Sequence, residues 1–239
     1  MSDIAPKRLL RRVKTHSTLL TNSFKALLSA CVFTVFLANL AEYFPVSHSV
    51  IVVTPTRFLS SQGTLYIMEN REKAWRVIDS FPVRLGEGGV SLLGYSIAAW
   101  GKREGDQKTP NGIYTMSEVF WQSWHAKVQL KGMLGHEINQ QSYFVDDSFD
   151  VTYNHWQQSF KARGESMVSY PLQYQQGIVV DYNRNPALPW FGSAIFIHVW
   201  KNKSHATAGC IAMHQDNLNR LFNWLAIQNV RSKLVIRRL

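Results

Sequence analysis

Over residues 50–239 the sequence predicts a mostly β domain with one or two helices. Short apolar or alternating runs, separated by turn residues, fill most of this region, and this pattern is typical of strands. One segment, 217–228, instead spaces its apolar residues three and four apart, as an amphipathic helix does. Since 46% of the chain is hydrophobic and 18% is charged, it can bury a sizeable core.

The first three predicted strands follow one another closely. The apolar run at 49–54 is the first, and the alternating run at 63–70 is the second. The third, at 73–86, contains Pro82, which confines it to a sheet edge or a bulge. Its apolar residues are predicted to share one face: Trp75, Val77, Phe81, Val83 and Leu85.

Further strands are predicted towards the end of the chain. A polar loop at 103–116 ends in a Pro-Asn-Gly turn that starts another strand. Two apolar β runs, 176–183 and 193–200, flank the proline-rich loop 184–192, and a last strand is predicted at 232–239.

Two other segments complete the domain. Asp216 precedes the predicted helix 217–228 and is placed to cap its N-terminus. Residues 120–175 are rich in Trp, Tyr, His and Gln but have no clean period. They are either an insertion over a groove or irregular packed loops.

The N-terminal region has the pattern of an export signal. Residues 1–25 form a basic region with five Lys or Arg within positions 7–14, and the segment 26–44 begins with sixteen uncharged residues. Basic residues before an apolar run keep the N-terminus in the cytoplasm. An uncleaved membrane anchor is favoured over a cleaved signal peptide, and a buried core helix is the alternative. The domain is therefore predicted outside the cytoplasm, in the periplasm or cell envelope.

The charge balance argues against one class of partner. The net charge is +10, but beyond residue 50 the basic residues are scattered and no basic run interleaved with aromatic residues occurs. The sequence therefore predicts no nucleic-acid binding and favours an anionic surface such as a membrane or cell-wall polymer.

Cys210 is the main candidate for chemistry. The other cysteine, Cys31, lies in the apolar N-terminal segment, so no disulfide is possible within the domain. In the run 193–200, His198 falls on the face opposite the aliphatic residues. Cys210 begins another short apolar run, which predicts a strand. If this strand pairs side by side with the run 193–200, an imidazole adjacent to the cysteine would lower the pKa of its thiol and make a nucleophile. The alternative is that Cys210 and His198 are ordinary core residues.

A metal site is a weaker interpretation. It would use His198, His205, Cys210 and His214, because zinc prefers such ligands. However, no C-x-x-C or H-E-x-x-H pattern supports it, so the sequence predicts neither a metal nor another cofactor.

Four stretches resemble the L,D-transpeptidase (YkuD-type) family. "IFIHVWKNKSHATAGCIAMHQDNL" is similar to its catalytic signature, and "GDQKTPNGIYTM" to its upstream element. "FVDDSFDVTYN" and "VVDYNRNPALPWFGSAIFIHV" resemble a subfamily whose motif reads T-x-G-C-[IV]-A-[LM]. The resemblance implies an L,D-transpeptidase-like β-sandwich, with the catalytic domain at 50–239. It also implies action on peptidoglycan stem peptides.

The resemblance assigns roles to particular residues. Cys210 would be the nucleophile and His198 the general base, with Gly209 and Thr207 at the Gly and Ser/Thr positions of the motif. Backbone N–H groups near Cys210 could stabilise an oxyanion. The better-studied members carry histidine and Arg or Asn where this chain has alanines, at 208 and 212. These alanines leave cross-link formation less well supported than the Cys210–His198 pair, although cross-linking is still the main hypothesis. Hydrolysis by the same pair and a non-catalytic wall-binding module stay open.

Other residues are candidates for substrate binding. Asp146 or Asp147 could orient a substrate amine, or could simply cap a turn. Lys201, with Lys203, could meet stem carboxylates, or could lie in a solvated loop. Three more residues could line the groove, and packing is the favoured alternative for them: Tyr182, Asn183 and Trp190.

Overall fold

The structure is a computed structural model that describes residues 49–57, 59–72, 74–92, 101–125, 127, 129–228 and 232–238. The predicted basic region 1–25 and signal or anchor segment 26–44 lie outside the described residues. Within them, no helix is long and apolar enough to cross a membrane. The prediction of a mostly β domain with one or two helices is confirmed: the described residues contain thirteen strands, one α-helix and one 3₁₀ turn.

The strands in chain order are β1 Ser49–Pro55, β2 Gln62–Arg71, β3 Ala74–Arg84, β4 Gly112–Tyr114, β5 Met116–Gln122, β6 Leu134–Ile138, β7 Ser142–Val145, β8 Trp156–Gln158, β9 Gly164–Ser166, β10 Gln176–Val180, β11 Phe196–Val199, β12 Ile211–Met213 and β13 Lys233–Ile236. The 3₁₀ turn is Met167–Ser169, and the helix α1 is Gln215–Ile227.

Ten strands form one curled sheet in the order β4-β13-β1-β2-β3-β12-β11-β10-β5-β6, and three form a small sheet in the order β8-β7-β9. Most neighbours in the large sheet are antiparallel, but β1 with β13, β11 with β12, and β5 with β6 are parallel. The parallel pair β11 and β12 lies near the middle of the sheet and carries the two residues singled out for chemistry.

The strands β1, β10, β11 and β12 of the large sheet are buried on both faces. One face forms the main core with the apolar side of α1, which contributes Leu218, Leu221, Phe222, Trp224 and Leu225. The other face of β5, β10 and β11 forms a second cluster with the small sheet and the 3₁₀ turn. That cluster comprises Phe120, Ile138, Phe144, Met167, Tyr174, Val179, Phe196 and Cys210. Cys210 therefore lies on the side away from the main core.

The strand that contains Pro82 matches its prediction except at Val77. Pro82 pairs with Thr64 of β2, and β12 pairs with β3 only at Arg84, so most of β3 is an edge. Trp75, Phe81, Val83 and Leu85 are buried as predicted, but Val77 is 43% exposed. The reason is a register shift opposite Val77 and Asp79, which breaks the alternation.

The helix begins two residues earlier than predicted, and its cap is not Asp216. His214 is the N-cap, and its Nδ1 accepts a hydrogen bond from the backbone N–H of Asp216 at 3.3 Å. Asp216 lies in the first turn, where its charge suits the positive end of the helix dipole.

From β7 onwards, the segment 120–175 forms a wall over the second face of the large sheet, whereas the end of β5 and β6 are part of that sheet. It contains the end of β5, then β6 to β9 and the 3₁₀ turn. Its strands are only three to five residues long after β5, which explains why no period was visible in the sequence. Of the two alternatives, an insertion over a groove describes it better than irregular loops.

Candidate active site

His198 and Cys210 lie on adjacent parallel strands. In the register of β11 and β12, Ile197 pairs with Ile211 and His198 pairs with Ala212. Because side chains alternate along strands, both isoleucines point into the main core and His198 points to the opposite face. Cys210 is two residues before Ala212 and belongs to the cluster on that same face. The sequence prediction that these segments pair side by side is confirmed.

Small residues on both neighbouring strands make room for the imidazole. His198 pairs with Gly177 of β10 on one side and with Ala212 of β12 on the other. A Cβ at Gly177 would lie 2.3 Å from the Phe120 ring, so this position has space only for glycine. At Ala212 the arginine or asparagine of the better-studied motif would lie directly beside the imidazole.

A backbone carbonyl sets the tautomer of His198. Nδ1 lies 2.8 Å from the carbonyl oxygen of Val199. Since a carbonyl can only accept, Nδ1 carries the hydrogen in this contact and Nε2 keeps its lone pair. The Tyr174 ring packs edge-on against the imidazole, with centroids 5.3 Å apart at 90°. Nε2 is therefore the basic atom of a ring held in one orientation.

The thiol of Cys210 is held by the backbone before β11. Its Sγ lies 3.4 Å from the N–H of Phe196, which donates to it, and 3.3 Å from the carbonyl of Ala194, which accepts from it. Cys210 is 8% exposed, and part of that surface opens to a cleft. The sulfur is thus fixed in place and accessible from one side.

Burial shifts the pKa of both groups in the direction that favours their neutral forms. Desolvation raises the pKa of the Cys210 thiol to about 12, although the Phe196 N–H opposes this. Desolvation also lowers the pKa of His198 to about 4, against the hydrogen bond to Val199. The sequence predicts that an imidazole adjacent to Cys210 lowers the pKa of its thiol. The structure gives the opposite direction, because both groups are buried and the charged forms lose their hydration.

The turn before Cys210 is built by Thr207 and Gly209. Thr207 Oγ1 donates to the carbonyl of Cys210 at 2.7 Å and accepts from the N–H of Gly209 at 3.2 Å. The Thr207 N–H donates to the carbonyl of Leu85, which ties this turn to the end of β3. Because Thr207 already uses the Gly209 N–H, this group does not serve as an oxyanion donor here. Thr207 and Gly209 shape the backbone at Cys210.

Backbone conformation explains the glycine at 209. Its φ is +144°, a backbone angle that residues with a side chain rarely adopt, and a Cβ would lie 3.0 Å from the carbonyl oxygen of Lys108. We expect Gly209→Ala to lower the free energy of unfolding by about 1–3 kcal/mol. Urea denaturation of both proteins measures this difference.

Gly105→Ala is the matched control for that measurement. Gly105 also has positive φ, +72°, but nothing lies within 4 Å of its added Cβ. Its cost should be about 1 kcal/mol, from backbone conformation alone. If Gly209→Ala lowers the free energy of unfolding by no more than Gly105→Ala does, the contact with the Lys108 carbonyl does not contribute to the effect.

Cys210 and His198 open into a cleft of about 670 Å³. Its floor includes Ala194, Ala208 and Ala212, and the segment 120–175 supplies one wall through Glu165, Ser169, Tyr170, Gln173 and Tyr174. The loop after β11 supplies another wall through Trp200, Lys201, His205, Ala206 and Thr207. Ala208 is thus a cleft residue, and its methyl group makes the floor of the cleft less polar than a histidine side chain would.

Three carboxylates also line the cleft. Burial raises the pKa of Glu165 above its usual range, although Tyr174 donates to it at 2.5 Å. Partial burial and the nearby Glu104 charge raise the pKa of Asp146. Glu104 accepts from the hydroxyls of Tyr153 and Ser193. The cleft also holds Lys102, which is buried and pairs with Asp106 at 2.6 Å, and Lys201, which is exposed.

The predicted binding residues are divided between cleft and scaffold. Lys201 lines the cleft, but Asp147, Tyr182 and Asn183 are not among the described residues that do. Asp147 accepts from the Phe149 N–H and pairs with Arg163 at 3.0 Å, as a turn-capping residue does.

Tyr182 and Asn183 brace the loop that follows them. The Tyr182 hydroxyl donates to the carbonyl of Phe191 at 2.5 Å. The Asn183 amide donates to the carbonyls of Leu188 and Gly192, both at 2.9 Å. Packing, the alternative favoured for both residues, describes these contacts.

Sequence reasoning did not single out Lys102, Glu104, Glu165 or Tyr174. Each lies far along the chain from Cys210, in a polar loop or in the segment without a period. The only local signal was the polar loop before the Pro-Asn-Gly turn. Among the described residues, no group of three or more His, Cys, Asp or Glu side chains is arranged to hold a metal ion.

Fold and cleft together define a β protein with a cysteine–histidine pair at the base of a cleft. A family model for the YkuD L,D-transpeptidase catalytic domain matches residues 48–236, and the chain belongs to this family. Proteins with this domain are cysteine-dependent transpeptidases that act on peptidoglycan peptides.

Comparison with curated proteins gives no match. Among solved structures, the chain is similar to that of Bdellovibrio bacteriovorus Bd1075, with 17% sequence identity and a TM-score of 0.40. The similarity covers 80% of this chain and 48% of that one, so the chain spans about half the length of Bd1075.

Proposed function

We propose that this protein is a peptidoglycan L,D-transpeptidase that forms an acyl-enzyme on Cys210, with His198 as general base. One observation carries the proposal. The thiol and the imidazole lie on the same face of two adjacent parallel strands and open into one cleft. Membership of the YkuD family supports the assignment to stem peptides.

The neutral resting pair suits a general-base mechanism. As the Cys210 sulfur attacks a stem carbonyl carbon, Nε2 of His198 takes the thiol proton and a C–S bond forms. The imidazolium then gives this proton to the departing amine when the C–N bond breaks. The product at this stage is a thioester on Cys210, and the stem residue beyond the cleaved bond is released.

An amine from a second stem resolves the thioester. Nε2 takes a proton from the attacking amine, a new amide bond forms, and the C–S bond breaks as the imidazolium gives that proton to the sulfur, which restores the thiol. The cleft carboxyl groups of Glu104, Asp146 and Glu165 support this proposal because their oxygens can accept hydrogen bonds from the amine of an acceptor. If water attacked instead of an amine, the same pair would act as a hydrolase.

Product analysis separates the candidate functions. The full chain in detergent is incubated with disaccharide tetrapeptide, and products are identified by mass spectrometry. We expect cross-linked dimers. Shortened or truncated stems without dimers would show hydrolysis by the same Cys/His pair. No product and no acyl adduct from a folded protein would favour the wall-binding module.

The compartment is part of the proposal. The basic stretch within positions 7–14 and the apolar segment 26–44 support export, with the domain in the periplasm or cell envelope and the segment in the cytoplasmic membrane. Carbonate extraction of membranes from expressing cells tests this. We expect the full chain in the membrane pellet, and recovery in the soluble extract would contradict an uncleaved anchor.

A further inference from the structure

Two aromatic side chains stand exposed beside the cleft. Phe149 is 79% exposed and Trp190 is 53% exposed, and their ring centroids lie 5.0 Å apart at 88°. Asp146, three residues before Phe149, and Ser193, three residues after Trp190, both line the cleft. We call these two rings the aromatic lip.

The backbone connects the aromatic lip directly to the cleft wall. The carbonyl of Trp190 accepts from the N–H of Glu104 at 3.0 Å, and the N–H of Trp190 donates to Ser148 Oγ at 3.3 Å. Glu104 lines the cleft. A ligand that extends from the cleft past Glu104 therefore meets these rings.

The exposed tryptophan is held in place by the protein. Trp190 has φ +73°, in the left-handed region that disfavours a bulky side chain. Its loop is fixed by Asn183, which bonds Leu188 and Gly192 on either side of it. A strained backbone that presents a large apolar ring to solvent is typical of a binding surface.

The surroundings of the aromatic lip select the chemistry of its ligand. The carboxylates of Asp146, Asp147 and Glu104 lie next to it along the chain or through the backbone contacts. A purely apolar partner would remove the Asp147–Arg163 ion pair and the Asp146 carboxylate from water, so a ligand that carries hydroxyl groups is favoured. A sugar ring fits both features, because its C–H face packs on an aromatic ring and its hydroxyls donate to carboxylates.

We propose that the aromatic lip binds a sugar residue of the glycan strand that carries the stem peptide in the cleft. The inference rests on the proposed function, since a stem peptide is attached to a sugar. It makes the substrate of this protein the glycan-attached stem rather than the free peptide.

The test compares two substrates that differ only in the sugar. For the full chain in detergent, kcat/KM is measured with disaccharide tetrapeptide and with the same tetrapeptide without sugar. For the wild type we expect kcat/KM to be about tenfold higher with the disaccharide form than with the free tetrapeptide. In the double variant Phe149→Ala/Trp190→Ala the two kcat/KM values should agree to within about twofold, a ratio near one. The single variant Trp190→Phe should keep most of the preference.

Trp124→Ala is the matched control. Trp124 is 59% exposed and is not among the described residues that line the cleft. Its variant should keep the wild-type ratio. A wild-type ratio of one, or equal loss in Trp124→Ala and in the double variant, would overturn the sugar site. Thermal unfolding confirms that each variant is folded.

A second readout keeps the inference testable if the proposed function fails. Were neither substrate turned over, calorimetry with peptide-free N-acetylglucosamine tetramer would measure binding directly. Binding that is lost in the double variant supports the inference, and no binding overturns it. Binding instead to phosphatidylglycerol–phosphatidylcholine vesicles, lost in the same variant, would identify a lipid surface and also overturn it.

Discussion

Cys210→Ala is expected to abolish covalent adduct formation with a carbapenem-type β-lactam and to reduce peptide turnover by at least about 10³-fold. The reason is chemical, because the methyl group cannot attack a carbonyl. The fold should persist, since replacing one buried sulfur leaves only a small cavity and costs about 1–2 kcal/mol. Intact-protein mass spectrometry detects the adduct, and thermal unfolding checks the fold.

The other cysteine provides the matched control. Cys31→Ala should form the adduct at the wild-type rate, because Cys31 lies in the apolar N-terminal segment of the sequence. An adduct that persists in Cys210→Ala, or that disappears in Cys31→Ala, would remove Cys210 from the role of nucleophile.

The second large effect concerns pH. In the Cys31→Ala background, alkylation of Cys210 by iodoacetamide should rise about tenfold per pH unit from pH 7 to pH 9, without a plateau. The sign follows from burial, which raises the thiol pKa to about 12 and leaves little thiolate below it. Burial lowers the pKa of His198 to about 4, so the resting imidazole becomes protonated only near that pH. The decrease of kcat/KM on the acid side should therefore lie near pH 4 rather than near the ordinary histidine value.

His198→Asn distinguishes a neutral pair from an ion pair. With a neutral pair, the variant should lose peptide turnover but keep nearly the wild-type rate of alkylation at pH 7. An alkylation rate that plateaus near neutral pH in the wild type and drops sharply in the variant would show a thiolate–imidazolium pair. That result would exclude the general-base mechanism proposed above.

Much of the candidate site could be predicted from local sequence. The alternation in 193–200 puts His198 opposite the aliphatic residues, and the structure has Ile197 in the main core and His198 on the other face. The apolar triplet after Cys210 predicts a strand, and β12 is that strand. These predictions hold because strand periodicity depends on neighbouring residues only.

The prediction was wrong, or the sequence carried no signal, in three places. Val77 left the predicted face because the register of β3 against β2 shifts beside it. His214 took the cap from Asp216, a choice between two nearby residues that composition alone does not decide. The cleft residues Glu165 and Tyr174 belong to strands and turns too short to show a period.

The alternation around His198 determines by itself that this residue lies on the face of its strand opposite the aliphatic residues. Gly209 likewise reflects a local backbone requirement. The pairing of β11 with β12 in the folded protein decided that the Cys210 thiol shares the face of His198. Only the tertiary structure decided that the pair is neutral, because the side chains that bury it, Tyr174 and Phe196 among them, come together from separate strands and loops. The walls of the cleft and the aromatic lip arise in the same way, since contacts between segments far apart in the chain leave no periodic signal in the sequence.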